Sequence, residues 1–344
     1  MSAAIASAVL RAERDVQVMT APPEALGADD VRVRVISSGI CGSDLAAYRG
    51  HHPYKRPPAV LGHELAGTVT EVGPGVRDVR PGDRVATFAY APCLRCAACR
   101  RGDPHLCSDR ENLSAGRLGG TLAEEVVLRA AMVCAVPPRM PSDAVVLIEP
   151  LAISAHAAAL AALDGRSVCV IGCGTIGLGC VIAARAAGAA SIRGIDRGDG
   201  KRDRFVATGG DAFVDVRDAA VRDLSDEDVV AHDVVVVATA YPGVLDDAVR
   251  LARPGGTVIV VSYFPDAQVL HANEAVSKEI AIRGSALSTP RDVAAVIAWW
   301  EAGLVDPATL ISHRFALAAA PEAFALMDRG DGDLGKIIIE GTAS

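Results

Sequence analysis

At 344 residues the chain exceeds what one hydrophobic core usually organises, so two domains are expected. It is 51% hydrophobic and 22% charged, which excludes a disordered chain, and its net charge of −8 lacks the basic face that nucleic acid requires. No run approaches the ~20 apolar residues of a membrane span, so neither nucleic acid nor membrane is an expected partner.

The apolar N-terminal stretch Ala3 to Leu10 has no basic residue ahead of it. It reads as an edge strand and not a signal peptide, which makes the cytoplasm the expected location. Period-two alternation in Val31-Arg-Val-Arg-Val35 and Thr68-Val-Thr-Glu-Val72 predicts half-exposed strands. Turn signals follow at Gly73-Pro-Gly75 and Pro81-Gly-Asp83, the second leading into Arg84-Val-Ala86. Short strands punctuated by turns predict a β-rich, barrel-like domain.

From about residue 165 the texture changes. The apolar strand Ser167 to Ile171 is followed by glycines and a helical run from Thr175 to Ala187. Then come a strand Ser191 to Ile195, a helix Lys201 to Ala207, a strand Asp233 to Val237, a helix Val244 to Ala252, and strands at Thr257 to Val261 and Ile280 to Ile282. Strands alternating with helices predict a parallel, doubly wound α/β sheet. Beyond Gly284 to Ser288 lie a helix Arg291 to Glu301, the segment Pro321 to Met327 and a strand Lys336 to Ile339. That tail is too short for a domain and is expected to rejoin the first one. The expected division is therefore 1–151, 152–286 and a return at 287–344.

Five of the nine cysteines have metal-type contexts. Cys93, Cys96, Cys99 and Cys107 form a C-x2-C-x2-C-x7-C pattern, four thiolates able to surround one tetrahedral zinc with no open position. Spacing alone also allows an iron–sulfur cluster. Cys134, Cys169, Cys173 and Cys180 sit singly in apolar or glycine-containing runs and read as small buried hydrophobes. Upstream, Cys41-Gly-Ser-Asp44 and Gly62-His63-Glu64 follow strand-like segments. Thiolate, imidazole and carboxylate suit a second zinc with a vacant position, and Glu149 is a further carboxylate candidate just before the second domain.

Gly172-Cys-Gly174-Thr175-Ile176-Gly177 lies between a strand and a helix, the context in which a G-x-G-x-x-G turn cradles a pyrophosphate. Asp196 ends the next strand about 20 residues on, placed to accept the adenosine ribose hydroxyls, which favours NAD over NADP. Arg197 and Lys201 nearby are cations able to receive a 2′-phosphate.

With these pieces assembled, the chain resembles the zinc-containing medium-chain alcohol dehydrogenase superfamily over nearly its whole length. The resemblance is carried by Cys41-Gly-Ser-Asp44, Gly62-His-Glu-x-x-Gly67, Val72-Gly-Pro-Gly-Val76, Gly82-Asp-Arg-Val85, the four-cysteine lobe and Gly172 to Gly177, in family order. It implies a GroES-like β-barrel catalytic domain built from both chain ends around a Rossmann domain. Two zinc ions per chain are implied, one structural and one catalytic, together with NAD. Glu149-Pro150 is similar to the polyol and threonine dehydrogenase branch, including cyclitol and aminocyclitol enzymes. The implied catalytic zinc ligands are Cys41, His63 and one or both of Glu64 and Glu149. Ser43 falls where the family passes a substrate proton onward, and Asp44 where a carboxylate orients the ligand histidine. Lys336 matches a basic position that contacts cofactor phosphates. Where the ethanol-type branch has a relay histidine this chain has Ala46, with His51 or His52 as substitutes.

The implied reaction interconverts a polar secondary alcohol (a polyol, cyclitol or amino alcohol) with its ketone, in a homodimer or homotetramer. An epimerase or lyase using transient NAD oxidation, or a redox-inert zinc-binding homologue, are the other classes these residues allow.

Overall fold

The computed structural model describes residues 4–115, 118–217, 221, 231–330 and 332–341. The chain divides into two compact units, one of Met1–Glu149 with Ile311–Ser344 and the other of Pro150–Leu310.

The first unit is organised by the 11-residue strand Asp30–Ile40. Its alternate residues Val31, Val33 and Val35 are buried against Leu65, Val69, Val85 and Leu128. The period-two pattern becomes a strand because one face has an apolar layer to meet. Strand Glu64–Val72 pairs with it antiparallel, placing Glu64 opposite Gly39. On its other side Glu125–Arg129 pairs with the first half and Lys336–Glu340 with the second, Ile337 opposite Ile40. Ile311–Ala316 runs parallel to Lys336–Glu340 beyond it. The far end of the chain thus completes a sheet begun near its start. Strand Ile5–Ala12, expected at an edge, pairs with Asp15–Ala21 on one side and Ala59–Val60 on the other, so it is the middle strand of a small sheet. Its inward residues Ala8 and Leu10 pack with Ile40, Leu61, Phe324 and Ile337.

The second unit holds six parallel strands in the spatial order Ala212–Asp215, Ser191–Asp196, Ser167–Ile171, His232–Val237, Ala252–Val260 and Ala281–Gly284. In chain order this is 3-2-1-4-5-6, the doubly wound Rossmann arrangement. The apolar runs form its central strands because helices cover both faces of such a sheet and leave no wet side. The expected return at 287 differs from what is seen. Helices Pro290–Glu301 and Pro307–Leu310 belong to the second unit, and the chain re-enters the first at Ile311. One reason is a tether: Asp292 Oδ2 lies 3.1 Å from His156 Nδ1 in helix Ile148–Ala159. Among the described residues no helix is long and apolar enough to cross a membrane.

Asp233 joins two strands of the second sheet. It accepts hydrogen bonds from the Ser167 backbone N–H (2.9 Å), Ser167 Oγ (2.8 Å), Arg253 Nε (2.7 Å) and Arg166 (3.1 Å). The Ser167 N–H, then the Arg253 guanidinium, hold its carboxyl well below the usual carboxylate range against the opposing effect of burial. A depressed folded-state pKa gives stability that is present above about pH 4 and is lost as the pH falls through the folded value. Replacing Asp233 by Ala is expected to lower stability by about 2 kcal/mol at neutral pH. In urea titrations of both proteins, that difference should shrink once the pH drops below about 4.

Candidate functional site

The strand register assembles the first cluster. Cys41 directly follows strand Asp30–Ile40, and Glu64 starts the strand paired with it. His63 precedes Glu64, so the two strand ends bring Cys41, His63 and Glu64 to one point. One possible ligand atom from each of the three lies within 4.8 Å of the others. All three side chains are enclosed, His63 and Glu64 fully. Space for the carboxylate comes from Gly39, where an added Cβ would stand 1.9 Å from Glu64 Oε2. Any side chain there would displace Glu64.

The remaining polar groups are ordered around this trio. Asp44 lies in the first turn of helix Gly42–Tyr48, where its Oδ2 accepts from the Cys41 backbone N–H at 3.1 Å and stands 3.5 Å from His63 Nδ1. That leaves His63 Nε2 as the ring nitrogen open to a metal. Lys55, buried, donates to Asp44 Oδ1 (2.7 Å) and Ser43 Oγ (3.1 Å), and its Nζ is 3.2 Å from His63 Nδ1. Lys336, also buried, donates to Glu64 Oε1 at 2.6 Å and to the Ile40 carbonyl at 3.2 Å. The sequence expectation for Lys336 was a contact with cofactor phosphates; in the structure its ammonium rests on Glu64. The pairing of Ile337 with Ile40 sets Lys336 beside Glu64, and a buried ammonium takes the carboxylate at hand.

Electrostatics follow from these contacts. Burial pushes the Asp44 carboxyl up, but the Lys55 and His63 charges overcome this and hold it far below the usual range. Burial and Lys55 both oppose a charged His63, yet Asp44 and Cys41 raise its pKa well above the ordinary value. Burial also opposes the Cys41 thiolate, and the His63 charge reverses the balance so that the thiol pKa falls. A thiolate is the form that ligates metal. Glu149, buried in the first turn of helix Ile148–Ala159, is pushed up to about 7 by burial, with His63 pulling down and Glu64 adding to the rise. It stands near the cluster but outside the trio, so of the two candidate glutamates the geometry groups Glu64 with Cys41 and His63.

Does a cation fit here? Glu64 Oε2 is buried and has no hydrogen-bond partner among the described residues. An orphaned carboxylate oxygen beside a thiol and an imidazole is what a bound zinc would satisfy.

The second cluster is Cys93, Cys96, Cys99 and Cys107, whose sulfurs all lie within 4.8 Å of one another. Cys96 Sγ and Cys107 Sγ are 3.8 Å apart, the edge of a tetrahedron with metal–sulfur bonds of about 2.3 Å. Backbone N–H groups point at the sulfurs: Cys96 N to Cys93 Sγ at 3.3 Å, Cys99 N to Cys96 Sγ at 3.5 Å, and Cys93 N and Asp109 N to Cys107 Sγ at 3.3 and 3.4 Å. Leu94, exposed and at φ 59°, accepts a left-handed conformation that turns Cys93 and Cys96 toward each other. All four positions are protein thiolates, which marks a closed structural site.

In the second unit, Gly172 follows strand Ser167–Ile171 at φ +95°, and a Cβ on Gly177 would lie 1.8 Å from the Gly172 carbonyl. The turn closes only with glycine at these places. Gly174 has nothing within 4 Å of its missing side chain, so a ligand can approach its backbone. Thr175 and Ile176 open helix Thr175–Ala186, which has no side-chain cap at its N-terminus. Asp196 ends its strand and accepts from Cys173 N and Arg197 N, both at 2.7 Å.

Residues 27–138 match the alcohol dehydrogenase GroES-like domain family and residues 175–302 the zinc-binding dehydrogenase family. The chain is 32% identical to L-galactonate-5-dehydrogenase from Escherichia coli K12, over 87% of this chain and 88% of that one. It is 30% identical to sorbitol dehydrogenase from Bombyx mori, over 94% and 95%. The chain belongs to the zinc-containing medium-chain alcohol dehydrogenase superfamily. Its structure superposes on that of an alcohol dehydrogenase, RspB from Escherichia coli CFT073, in complex with NADH, with a TM-score of 0.90 at 26% identity over 98% and 100% of the chains. Membership makes this a zinc-dependent, nicotinamide-linked alcohol dehydrogenase.

Lys55 escaped the sequence reading. It sits among Tyr54, Arg56 and three prolines in what reads as a solvated loop, and only the fold reveals its burial. Of the two relay candidates, His51 is exposed, while His52 is buried and its Nδ1 accepts from Lys55 N at 3.1 Å. Burial, then the Lys55 charge, lowers His52 to about 4, so it stays neutral at physiological pH.

Two substitutions separate the clusters. Gly39→Ala, which drives a methyl into Glu64, is expected to cost the open site its zinc while the lobe keeps its own. Cys99→Ala is expected to lower Tm by several degrees, because the lobe loses its metal brace. Elemental analysis and thermal melts read both effects; a Gly39→Ala protein with undiminished zinc would remove Glu64 from the ligand set.

Proposed function

We propose that this chain oxidises a polar secondary alcohol, a polyol, cyclitol or amino alcohol, to its ketone with NAD, and runs the reverse reaction. The single observation behind the site assignment is the enclosed trio of Cys41, His63 and Glu64 with an unsatisfied carboxylate oxygen. These residues hold a catalytic zinc, and the lobe of Cys93, Cys96, Cys99 and Cys107 holds a structural one. Zinc at the open site supplies Lewis acidity that makes a substrate hydroxyl acidic near neutral pH, and NAD supplies the hydride acceptor.

The chain's own residues do the rest. Asp44 fixes the His63 ring through Nδ1, and Lys55 balances the buried Asp44 charge. Because Lys55 donates to Ser43 Oγ, the Ser43 proton is directed away from Lys55, leaving the hydroxyl oriented to exchange protons with a substrate oxygen. Glu149 and Ser43 add polar groups suited to a hydroxylated substrate. Gly172, Gly174, Thr175, Ile176 and Gly177 seat the pyrophosphate, and Asp196 accepts the ribose hydroxyls, which selects NAD over NADP. Arg197, exposed beside Asp196, offers its side chain to the adenosine end.

The molecule works as a cytoplasmic homodimer or homotetramer in this proposal. Support for assembly comes from strand Ala281–Gly284, which ends the six-stranded sheet, is exposed along its whole length and displays Ile282. Unpaired sheet edges of this kind invite a partner strand.

A panel of polyols, aminocyclitols and amino alcohols, read by the absorbance of reduced NAD, tests the activity. At least one member should give stoichiometric NADH that disappears after chelation of zinc and returns on its readdition. Turnover unaffected by complete zinc removal would refute the proposal.

A further inference from the structure

We infer that Asp215 is a second cofactor-specificity residue, which acts with Asp196 to exclude a 2′-phosphorylated dinucleotide. The inference rests on the reading of the second unit as the NAD site and extends it to a residue on the neighbouring strand.

Strands Ser191–Asp196 and Ala212–Asp215 run parallel, with Asp196 directly paired to Asp215 at their ends. Adjacent strands lie about 4.8 Å apart, so both carboxylates border the Arg197-Gly198 turn that follows Asp196. A phosphate on the adenosine ribose needs N–H donors and cations at that turn. Both donors are already committed. Asp196 Oδ1 accepts from Arg197 N at 2.7 Å, and Asp215 Oδ1 accepts from Gly198 N at 3.1 Å.

Arg217, a cation just beyond the end of the neighbouring strand, is committed as well. It reaches Asp215 Oδ2 at 2.8 Å and both oxygens of Asp199 at 3.2 Å, and its backbone N–H donates to Asp215 Oδ1 at 3.0 Å. Burial pushes the Asp215 carboxyl up, but the Gly198 and Arg217 N–H groups and the Arg217 charge bring it below the usual range. Asp215 is therefore ionised at working pH. A 2′-phosphate entering here would meet two negative charges, with both turn N–H groups and Arg217 already occupied. Removing Asp196 alone frees Arg197 N but leaves Asp215 in place, holding Gly198 N and Arg217. Discrimination thus survives either single loss and collapses only with both.

The test compares NADH and NADPH binding by isothermal titration calorimetry to the zinc-loaded protein, without substrate. Wild type should prefer NADH by about 100-fold or more, the scale that two opposed like charges produce. Asp196→Ser and Asp215→Ser should each retain a preference of about 10-fold. The double variant should bind the two dinucleotides within about threefold of each other, NADPH having gained affinity over wild type. Asp215→Asn keeps the oxygen that caps Gly198 N, so it folds as wild type and isolates the charge; combined with Asp196→Ser it should also raise NADPH affinity. If Asp196→Ser alone abolishes the preference, or if neither double variant gains NADPH affinity, Asp215 has no such role. Wild type that binds neither dinucleotide would instead overturn the cofactor site itself, and the inference with it.

Discussion

The register among three antiparallel strands is the constraint on which the site depends. Pairing Glu64 with Gly39 and Ile40 with Ile337 brings together residues from three separated parts of the chain. Cys41 emerges from one strand end, His63 and Glu64 from the next, and Lys336 from the third. A slip of one residue would turn Glu64 to the opposite face of the sheet and dissolve the cluster. Gly39 makes that register usable, because only a residue without a side chain leaves the space that the Glu64 carboxylate fills.

Enclosing so many ionisable groups is costly unless each is paired. Here the charges alternate: Lys336 against Glu64, Lys55 against Asp44, His63 against Asp44 and Cys41. Among the described residues the arrangement leaves Glu64 Oε2 with nothing to accept from. Metal binding therefore completes a nearly satisfied set and needs no new charge to be buried alone. The four-cysteine lobe follows a different logic. Its thiolates repel one another and have backbone N–H groups as their main protein partners, so the ion itself is the core of that segment.

Much of this was legible in the sequence where a pattern is local. Ser167–Ile171 reads as a strand because every residue after the first is apolar, and the glycines after it announce the turn. The lobe is legible because thiolate spacing translates directly into a coordination shell. Ala212–Asp215 was not legible: four residues, none of them fully buried, carry no periodicity. Ile311–Ala316 was hidden for a similar reason, since Ser312, His313 and Arg314 interrupt its apolar pattern. Lys336 and Lys55 illustrate a deeper limit. A lysine reads as exposed until the fold supplies a buried carboxylate, and those carboxylates lie 272 and 11 residues away along the chain. The boundary near residue 287 was missed because a helix looks the same in either unit until its tether, His156 to Asp292, is seen.

The central claim is that the chain carries a metal site on its strand ends, independent of the thiolate lobe. Zinc content per chain, measured for freshly purified wild type and for Cys41→Ala, tests it most directly. The account predicts two ions in the former and one in the latter, with the fold unchanged by circular dichroism. A single ion in wild type, retained in full by Cys41→Ala and not supplemented when zinc is added, would contradict it.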